Sequence, residues 1–274
     1  MRWTRPSWRI PMSRAAGLLV LGLLASCGDG GPDAGISAFD APRQTASSHR
    51  LVTLVHVGYQ LSYDCDDRLG VRFAYTLTSD TGQAARPTEF TRVDPLLPTG
   101  CPAQLSAGAY GPGWARGHLV AANHMDASDT QIAQTFLMSN IVPQRSTFNQ
   151  GIWAEAEAIA ECWRDTAPVQ VVGGVLANDP ANDAFTVSHG VATPDWFWMI
   201  LVSADPARPG QQRVLAWWIP NIDATGTLSS RRVSITTIES RIGTARVGVS
   251  GVDAALKDSI GSDWGVPAGG CGAG

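Results

Sequence analysis

Runs of β-branched and aromatic residues alternate with Gly- and Pro-rich stretches along most of this chain. Leu51–Val57 is β-branched and apolar, and Val71–Leu77 alternates with aromatics, so both predict strands. Val169–Val175, Trp196–Val202, Arg213–Ile219 and Arg232–Thr236 predict four more. Ser128–Leu137 and Thr237–Ile242 predict short helices. Asn149–Trp163 carries the strongest helical pattern, because Ile152, Ala156, Ile159 and Trp163 form one apolar stripe. At about 100° per residue, Asn149, Trp153 and Glu157 fall within roughly 80° of each other on the adjoining face. One face can therefore bury while its edge presents an amide and a carboxylate. A loop-like stretch runs from Arg86 to Gly113, and no internal repeat is found. Strands on both sides of a helical middle predict one α+β domain.

The first residues follow a different pattern. Arg2, Arg5, Arg9 and Arg14 precede an uncharged apolar run, Ala15–Ala25, which predicts an export signal over residues 1–27. Its end, Leu24-Ala25-Ser26-Cys27, resembles the lipobox of bacterial lipoproteins. That resemblance implies cleavage before Cys27 and attachment to a membrane through a lipid on its thiol; an ordinary secretory signal is the alternative. Residues 28–48 read as a flexible tether rich in Gly, Asp, Ala, Ser and Pro. The folded body is expected over 49–266, with a tail at 267–274. The expected location is the cell envelope, at the outer membrane or in the periplasm, or otherwise outside the cell.

Composition narrows the function. The chain has 274 residues, 44% apolar and 16% charged, which is a globular balance. Twenty Lys and Arg against 24 Asp and Glu give a charge of −4, which excludes a simple polycation that coats nucleic acid. Without the four arginines of the leader, 16 basic residues face 24 acidic ones, or −8. Beyond Cys27, the even set Cys65, Cys101, Cys162 and Cys271 predicts two disulfides in an exported protein, with three pairings open. No CxxC or Cys/His spacing suits zinc. Lys257 is the only lysine and follows no Gly-rich run, so a P-loop is absent. No strand, Gly-rich turn and helix unit supports a dinucleotide fold. Gly248-Val249-Ser250-Gly251 lacks the spacing of a nucleophile elbow.

The remaining chemistry lies in the middle of the chain. Trp114-Ala115-Arg116-Gly117-His118 sets a cation beside an imidazole, in a loop after Gly111-Pro112-Gly113. An imidazole there suits general-base work. Taken alone, it is better read as a loop histidine bonded to a backbone carbonyl. An amide oxygen from Asn149 with Glu157 further along suits a hard, hydrated cation such as Mg²⁺. Taken alone, these two are better read as a helix cap and a solvated charge.

Together the segments resemble the DNA/RNA non-specific endonuclease family, the ββα-metal nucleases. The resemblance is carried in order by Arg116-Gly117-His118, Met138-Ser139-Asn140-Ile141-Val142-Pro143-Gln144, Asn149-Gln150-Gly151-Ile152-Trp153 and Glu157. Weaker echoes are Tyr59-Gln60-Leu61-Ser62-Tyr63, Val171-Val172-Gly173-Gly174-Val175, Pro194-Asp195-Trp196-Phe197-Trp198 and Ile238-Glu239, so the match spans roughly 52–245. It implies an α+β fold with a central antiparallel sheet flanked by helices, and hydrolysis of phosphodiester bonds in DNA and RNA. His118 would activate water, and Asn149 would be the direct protein ligand of a hydrated Mg²⁺, with Mn²⁺ as a substitute. Glu157 would hold metal-bound waters, Asn140 would orient the site, and Arg116 would contact phosphate. A second arginine, Arg86 in preference to Arg92, would assist near Asp94-Pro95. No protein partner is implied.

The sequence departs from the family pattern at four positions. Ala115 replaces an aspartate whose role Asp126 or another acid would have to fill. Ala121 replaces a proline, His124 takes a place that is often acidic, and Met199 one that is often lysine. Acidic balance also opposes tight nucleic-acid binding, which draws on Lys and Arg. Arg86, Arg92, Arg116 and Arg145 could supply a local basic groove. With no base-reading module, cleavage without sequence preference is expected. The rival readings are a catalytically inactive nuclease-fold lipoprotein that binds or scaffolds, and a nuclease toxin, for which no delivery domain is visible.

Overall fold

The computed structural model describes residues 49–268, Gly270 and Cys271. The leader, Cys27 and the 28–48 tether lie outside the described residues. In chain order come β1 (Leu51–Val55), β2 (Tyr59–Asp64), β3 (Leu69–Leu77), β4 (Trp114–His118), α1 (Asp129–Thr135), β5 (Ile141–Arg145), α2 (Ser146–Phe148) and α3 (Ala154–Trp163). They are followed by β6 (Val169–Leu176), β7 (Trp196–Ala204), β8 (Gln212–Pro220), α4 (Ile235–Ile242), α5 (Thr244–Val247) and α6 (Ala254–Asp258). Six strands form one antiparallel sheet in the order β1-β2-β3-β6-β7-β8, and β4 pairs with β5 in a separate antiparallel ribbon. The α+β fold with a central antiparallel sheet is therefore as expected.

The long apolar runs exist because the sheet buries both faces. Along β7, Phe197, Met199 and Leu201 enter the core that α3 covers, while Trp198, Ile200 and Val202 enter a second core covered by α4. Each such side chain contributes about 1.5–3 kcal/mol on full burial. When both faces are apolar, alternation no longer fixes the strand register. Ring shape supplies what alternation lacks. Phe73 pairs with Gly173 and Trp198 with Gly174. A Cβ at Gly173 would overlap the Phe73 ring, and one at Gly174 would lie 2.9 Å from Trp198 Cζ2.

Four local expectations are corrected. Tyr59–Asp64 is a strand, and Trp114–His118 is a strand rather than a loop. Arg232–Thr236 is not a strand: Arg232 makes a single bridge to Trp217, and Ser234 Oγ accepts the Thr237 N–H at 3.1 Å to start α4. The 149–163 helix is not uniform. Residues 149–153 widen into a π turn, with Gly151 at φ −110° and ψ −107°, before α3 begins at Ala154. The apolar stripe holds, since Ile152, Ala156 and Trp163 are buried, but Trp153 is buried with them instead of edging the polar face.

The cysteines pair as Cys65–Cys101 and Cys162–Cys271, spanning 36 and 109 residues. Loops of these lengths restrict the unfolded chain by about 4 and about 5 kcal/mol in the chain-entropy account. The first bond pins the Pro- and Gly-rich segment after β3. Gln104 pins it again, donating to Met138 O and Ile141 O at 3.0 and 2.7 Å. Among the described residues, no helix is long and apolar enough to cross a membrane.

Candidate active site

The ribbon and the π turn meet at one cleft. Arg116 and His118 lie two residues apart on β4 and so project from the same face. Both reach Phe90: the guanidinium carbon of Arg116 lies 4.0 Å from the ring centre, and the imidazole centroid of His118 lies 5.8 Å from it. Phe136 stands edge-on to His118 at 4.9 Å. Gly117 separates the two because a Cβ there would overlap the Gln144 amide.

Gln144 is fully buried and explains how Asn149 is held. Its Nε2 donates to His118 O at 3.2 Å, and its Oε1 accepts from Asn149 Nδ2 at 2.6 Å. The amide of Asn149 is thus fixed by its nitrogen, and no donor among the described residues reaches its Oδ1. Gly151 allows the turn that follows. Trp153 then anchors it, packed between Phe148 and Phe197 at centroid distances of 5.7 and 5.3 Å.

Arg86, His118, Asn149 and Glu157 line a single cleft of about 680 Å³, together with Glu161, Cys162 and Cys271. Burial lowers the His118 pKa to about 3, and the charges of Arg86 and Arg116 add to this. The ring is therefore neutral at physiological pH, and its buried Nε2 has no hydrogen-bond partner. Glu157 shifts the opposite way. Burial raises it to about 8, with the Trp153 indole and Arg86 opposing only in part. It forms no ion pair within 4 Å among the described residues.

The other expected residues fall in distinct places. Asn140 is fully buried away from the cleft. Its Oδ1 accepts from Val120 N at 2.9 Å, and its Nδ2 donates to Val120 O and Thr135 O at 3.0 and 2.9 Å. It positions the backbone leaving His118. Arg92 turns to Gln104 O at 3.0 Å, and Arg145 lies over Trp114, so Arg86 is the arginine that lines the cleft. Arg116 donates to Ala107 O at 2.8 Å. His124 is buried between Tyr75 Oη at 2.8 Å and Glu161 Oε2 at 3.4 Å. Asp126 does not line the cleft, whereas Glu161 does. Met199 is fully buried in the core.

Sequence reasoning misses two roles. Gln144 stands inside a quoted motif, and its amide chemistry is the available signal. Nothing in the sequence places Cys271 at the cleft.

Among the described residues, the donors in the cleft suit a hard cation: an amide oxygen with no partner, a carboxyl group in no ion pair within 4 Å, which a cation would favour in its ionised form, and no free thiol. A separate group, His49, Asp64 and Asp66, has ligand atoms within 4.8 Å of one another. It lies outside this cleft, and its atoms are already engaged. His49 Nδ1 meets Asp64 Oδ2 at 2.8 Å, Asp64 Oδ1 accepts from Asp66 N, and Asp66 Oδ2 accepts from Arg50 N.

Known proteins similar to this chain are named nucleases. A mitochondrial nuclease EXOG from Danio rerio is 29% identical over 76% of this chain and 63% of its own length. The Mus musculus nuclease EXOG is 30% identical over 69% of this chain and 55% of its own. The chain thus spans less than two thirds of either relative. A solved EndoG/EndoGI complex is similar over 69% of this chain and 82% of its own, at 21% identity and a TM-score of 0.49. The model of the DNA/RNA non-specific endonuclease family matches residues 41–250, which include the ribbon, the π turn and the whole sheet, and the chain belongs to that family.

Proposed function

We propose that this protein is a divalent-metal-dependent endonuclease that hydrolyses phosphodiester bonds of DNA and RNA without sequence preference. The observation that carries the reading is the neutral imidazole of His118 lining the same cleft as the held amide of Asn149, Glu157 and Arg86.

His118 takes a proton from the attacking water at Nδ1, since its Nε2 is enclosed, as the water oxygen bonds to phosphorus. One P–O ester bond breaks, and the departing oxygen takes a proton from solvent. Arg86 and Arg116 offset charge gathering on the phosphoryl oxygens. Asn149 Oδ1 and Glu157 would hold Mg²⁺ or Mn²⁺, the glutamate through bound water. That ion, when bound, supplies charge stabilisation for the leaving oxygen. Gln144 keeps Asn149 Oδ1 turned away from the ribbon, and Asn140 fixes the backbone that carries His118. Glu161 is the acid we place in the role left open by Ala115. Export to an oxidising compartment accords with the two disulfides. A lipid on Cys27 would then hold the enzyme at a membrane.

Plasmid DNA and RNA incubated with the full chain, in Mg²⁺ or in EDTA, test this reading. Cleavage that requires metal and falls by orders of magnitude in both His118→Ala and Asn149→Ala is expected. A folded, oxidised protein that stays inert in Mg²⁺, Mn²⁺ and Ca²⁺ would replace it with the inactive binding module.

A further inference from the structure

The face of the sheet turned away from α3 carries a second groove, of about 550 Å³. Trp196 and Trp218 stack there with centroids 5.6 Å apart and planes 26° from parallel. Trp196 opens β7 and stays half-exposed, although its neighbours on the same face are fully buried. Three arginines, Arg231, Arg232 and Arg241, rim the groove. Arg241 lies over the Trp218 ring at 4.8 Å, and Arg231 donates to Thr225 O at 2.6 Å. None of the three meets a carboxylate within 4 Å among the described residues, while the nearby Glu239 is taken by Lys257 at 2.7 Å. In a chain of net charge −4, three uncompensated cations around an aromatic pair are a local reversal of sign.

This end of the sheet is also joined to the catalytic ribbon. Asn221, just past β8, donates to Pro143 O and Pro194 O at 3.1 and 2.9 Å, and its Oδ1 accepts from Arg145 N. Arg145 lies four residues before Asn149.

We infer that the Trp196–Trp218 groove is an accessory site for single-stranded nucleic acid, with a base stacking on the part-exposed Trp196 indole, which Trp218 backs, and phosphates meeting Arg232 and Arg241. Unpaired bases expose the faces that an aromatic platform needs, and a duplex hides them. The ligand class rests on the nuclease reading, but the binding measurement does not require turnover.

The probe is a fluorescein-labelled oligothymidylate of about 20 nucleotides, longer than the roughly 4–16 nucleotides that single-strand grooves occupy. Anisotropy is read in EDTA with the full chain, R232A/R241A, W196A and R232K/R241K. R232A/R241A and W196A are each expected to weaken binding roughly tenfold, since base stacking is worth about 1–3 kcal/mol and 1.4 kcal/mol is tenfold. R232K/R241K keeps most of the affinity. The slope of log affinity against log salt becomes shallower by about 1.4 in R232A/R241A, at about 0.7 for each phosphate no longer neutralised. With metal, the KM of R232A/R241A rises on long single strands, while its kcat and its rate on a dinucleotide stay as in the parent. Unchanged affinity, or an equal loss on duplex DNA, overturns the inference. An inert parent that still binds through these residues defeats the catalytic reading and leaves the groove standing.

Discussion

The large sheet and the β4–β5 ribbon are both antiparallel, yet they are held in different ways. The sheet is secured by many apolar side chains on two faces, with close contacts at Gly173 and Gly174 setting its register. The ribbon is secured by a few polar side chains. Asn140, Gln104 and Asn221 each bridge main-chain groups, and Gln144 ties His118 O to the Asn149 amide. Apolar packing sets volume and leaves direction loose, whereas a hydrogen bond sets direction. A catalytic cleft needs direction, and the ribbon is where this molecule specifies it.

That contrast can be broken from its chemical end first. His118→Ala removes a neutral ring in no ion pair among the described residues, so stability should fall only by the packing lost against Phe90 and Phe136. Its kcat on plasmid DNA should fall about 10²–10⁴-fold, the usual worth of a positioned base. A melting temperature that collapses with the activity would show His118 to be structural instead.

Leu201→Ala tests the sheet. Leu201 is fully buried, and its truncation should lower unfolding free energy by about 2–5 kcal/mol in urea titration. Activity per folded molecule should stay near that of the parent. A fall in specific activity would mean that the sheet sets direction as well as volume.

Gln144→Ala tests the polar bracket. Metal affinity or activity should drop about 10–100-fold, as when the hydrogen-bond partner of a metal ligand is removed. Raising Mg²⁺ should restore part of the rate, whereas it should not rescue His118→Ala. A Gln144→Ala protein with ordinary metal dependence would remove Gln144 from the account of Asn149.

The smallest effect concerns acid. Burial pushes the Asp94 carboxyl up, but the nearby His56 ring, the Ser139 hydroxyl at 2.6 Å and the Leu96 amide at 2.9 Å outweigh it. Its pKa is therefore held below the ordinary 3.8. A carboxyl held low stabilises the fold above about pH 4, and that contribution drains as pH falls through its folded value. Asp94→Asn should thus lose stability at pH 6 and lose less between pH 6 and pH 3 than the parent does. Equal acid sensitivity in both proteins would exclude this role.

The same contrast explains what can be read from sequence. β7 and β8 are legible because a doubly buried strand is a run of large apolar residues. β4 and β5 are not, since Trp-Ala-Arg-Gly-His has no apolar alternation and Pro143 interrupts its partner. The β-branched residues Val233, Ile235 and Thr236 suggest a strand, and the Ser234 cap decides for a helix. Site residues are legible where several types recur in order, as from Arg116 to Glu157. What stays hidden is which atom each amide uses. Asn149 and Asn140 are the same residue type, yet one keeps its oxygen for the cleft and the other spends all of its polar atoms on backbone.

The bond between Cys162 and Cys271 adds a matter of timing. It joins α3 to a cysteine 109 residues later, and both residues border the catalytic cleft. A ribosome delivers His118, Asn149 and Glu157 long before Cys271. The closing segment also docks by its own contacts, with Arg213 between Trp163 and Trp264 at 3.7 and 4.1 Å. Those contacts, too, wait for the late residues. The Cys271 side of the cleft is therefore translated well after the reactive residues, and its covalent seal forms where thiols are oxidised. A chain retained among reducing thiols would carry its reactive residues beside an unsealed rim.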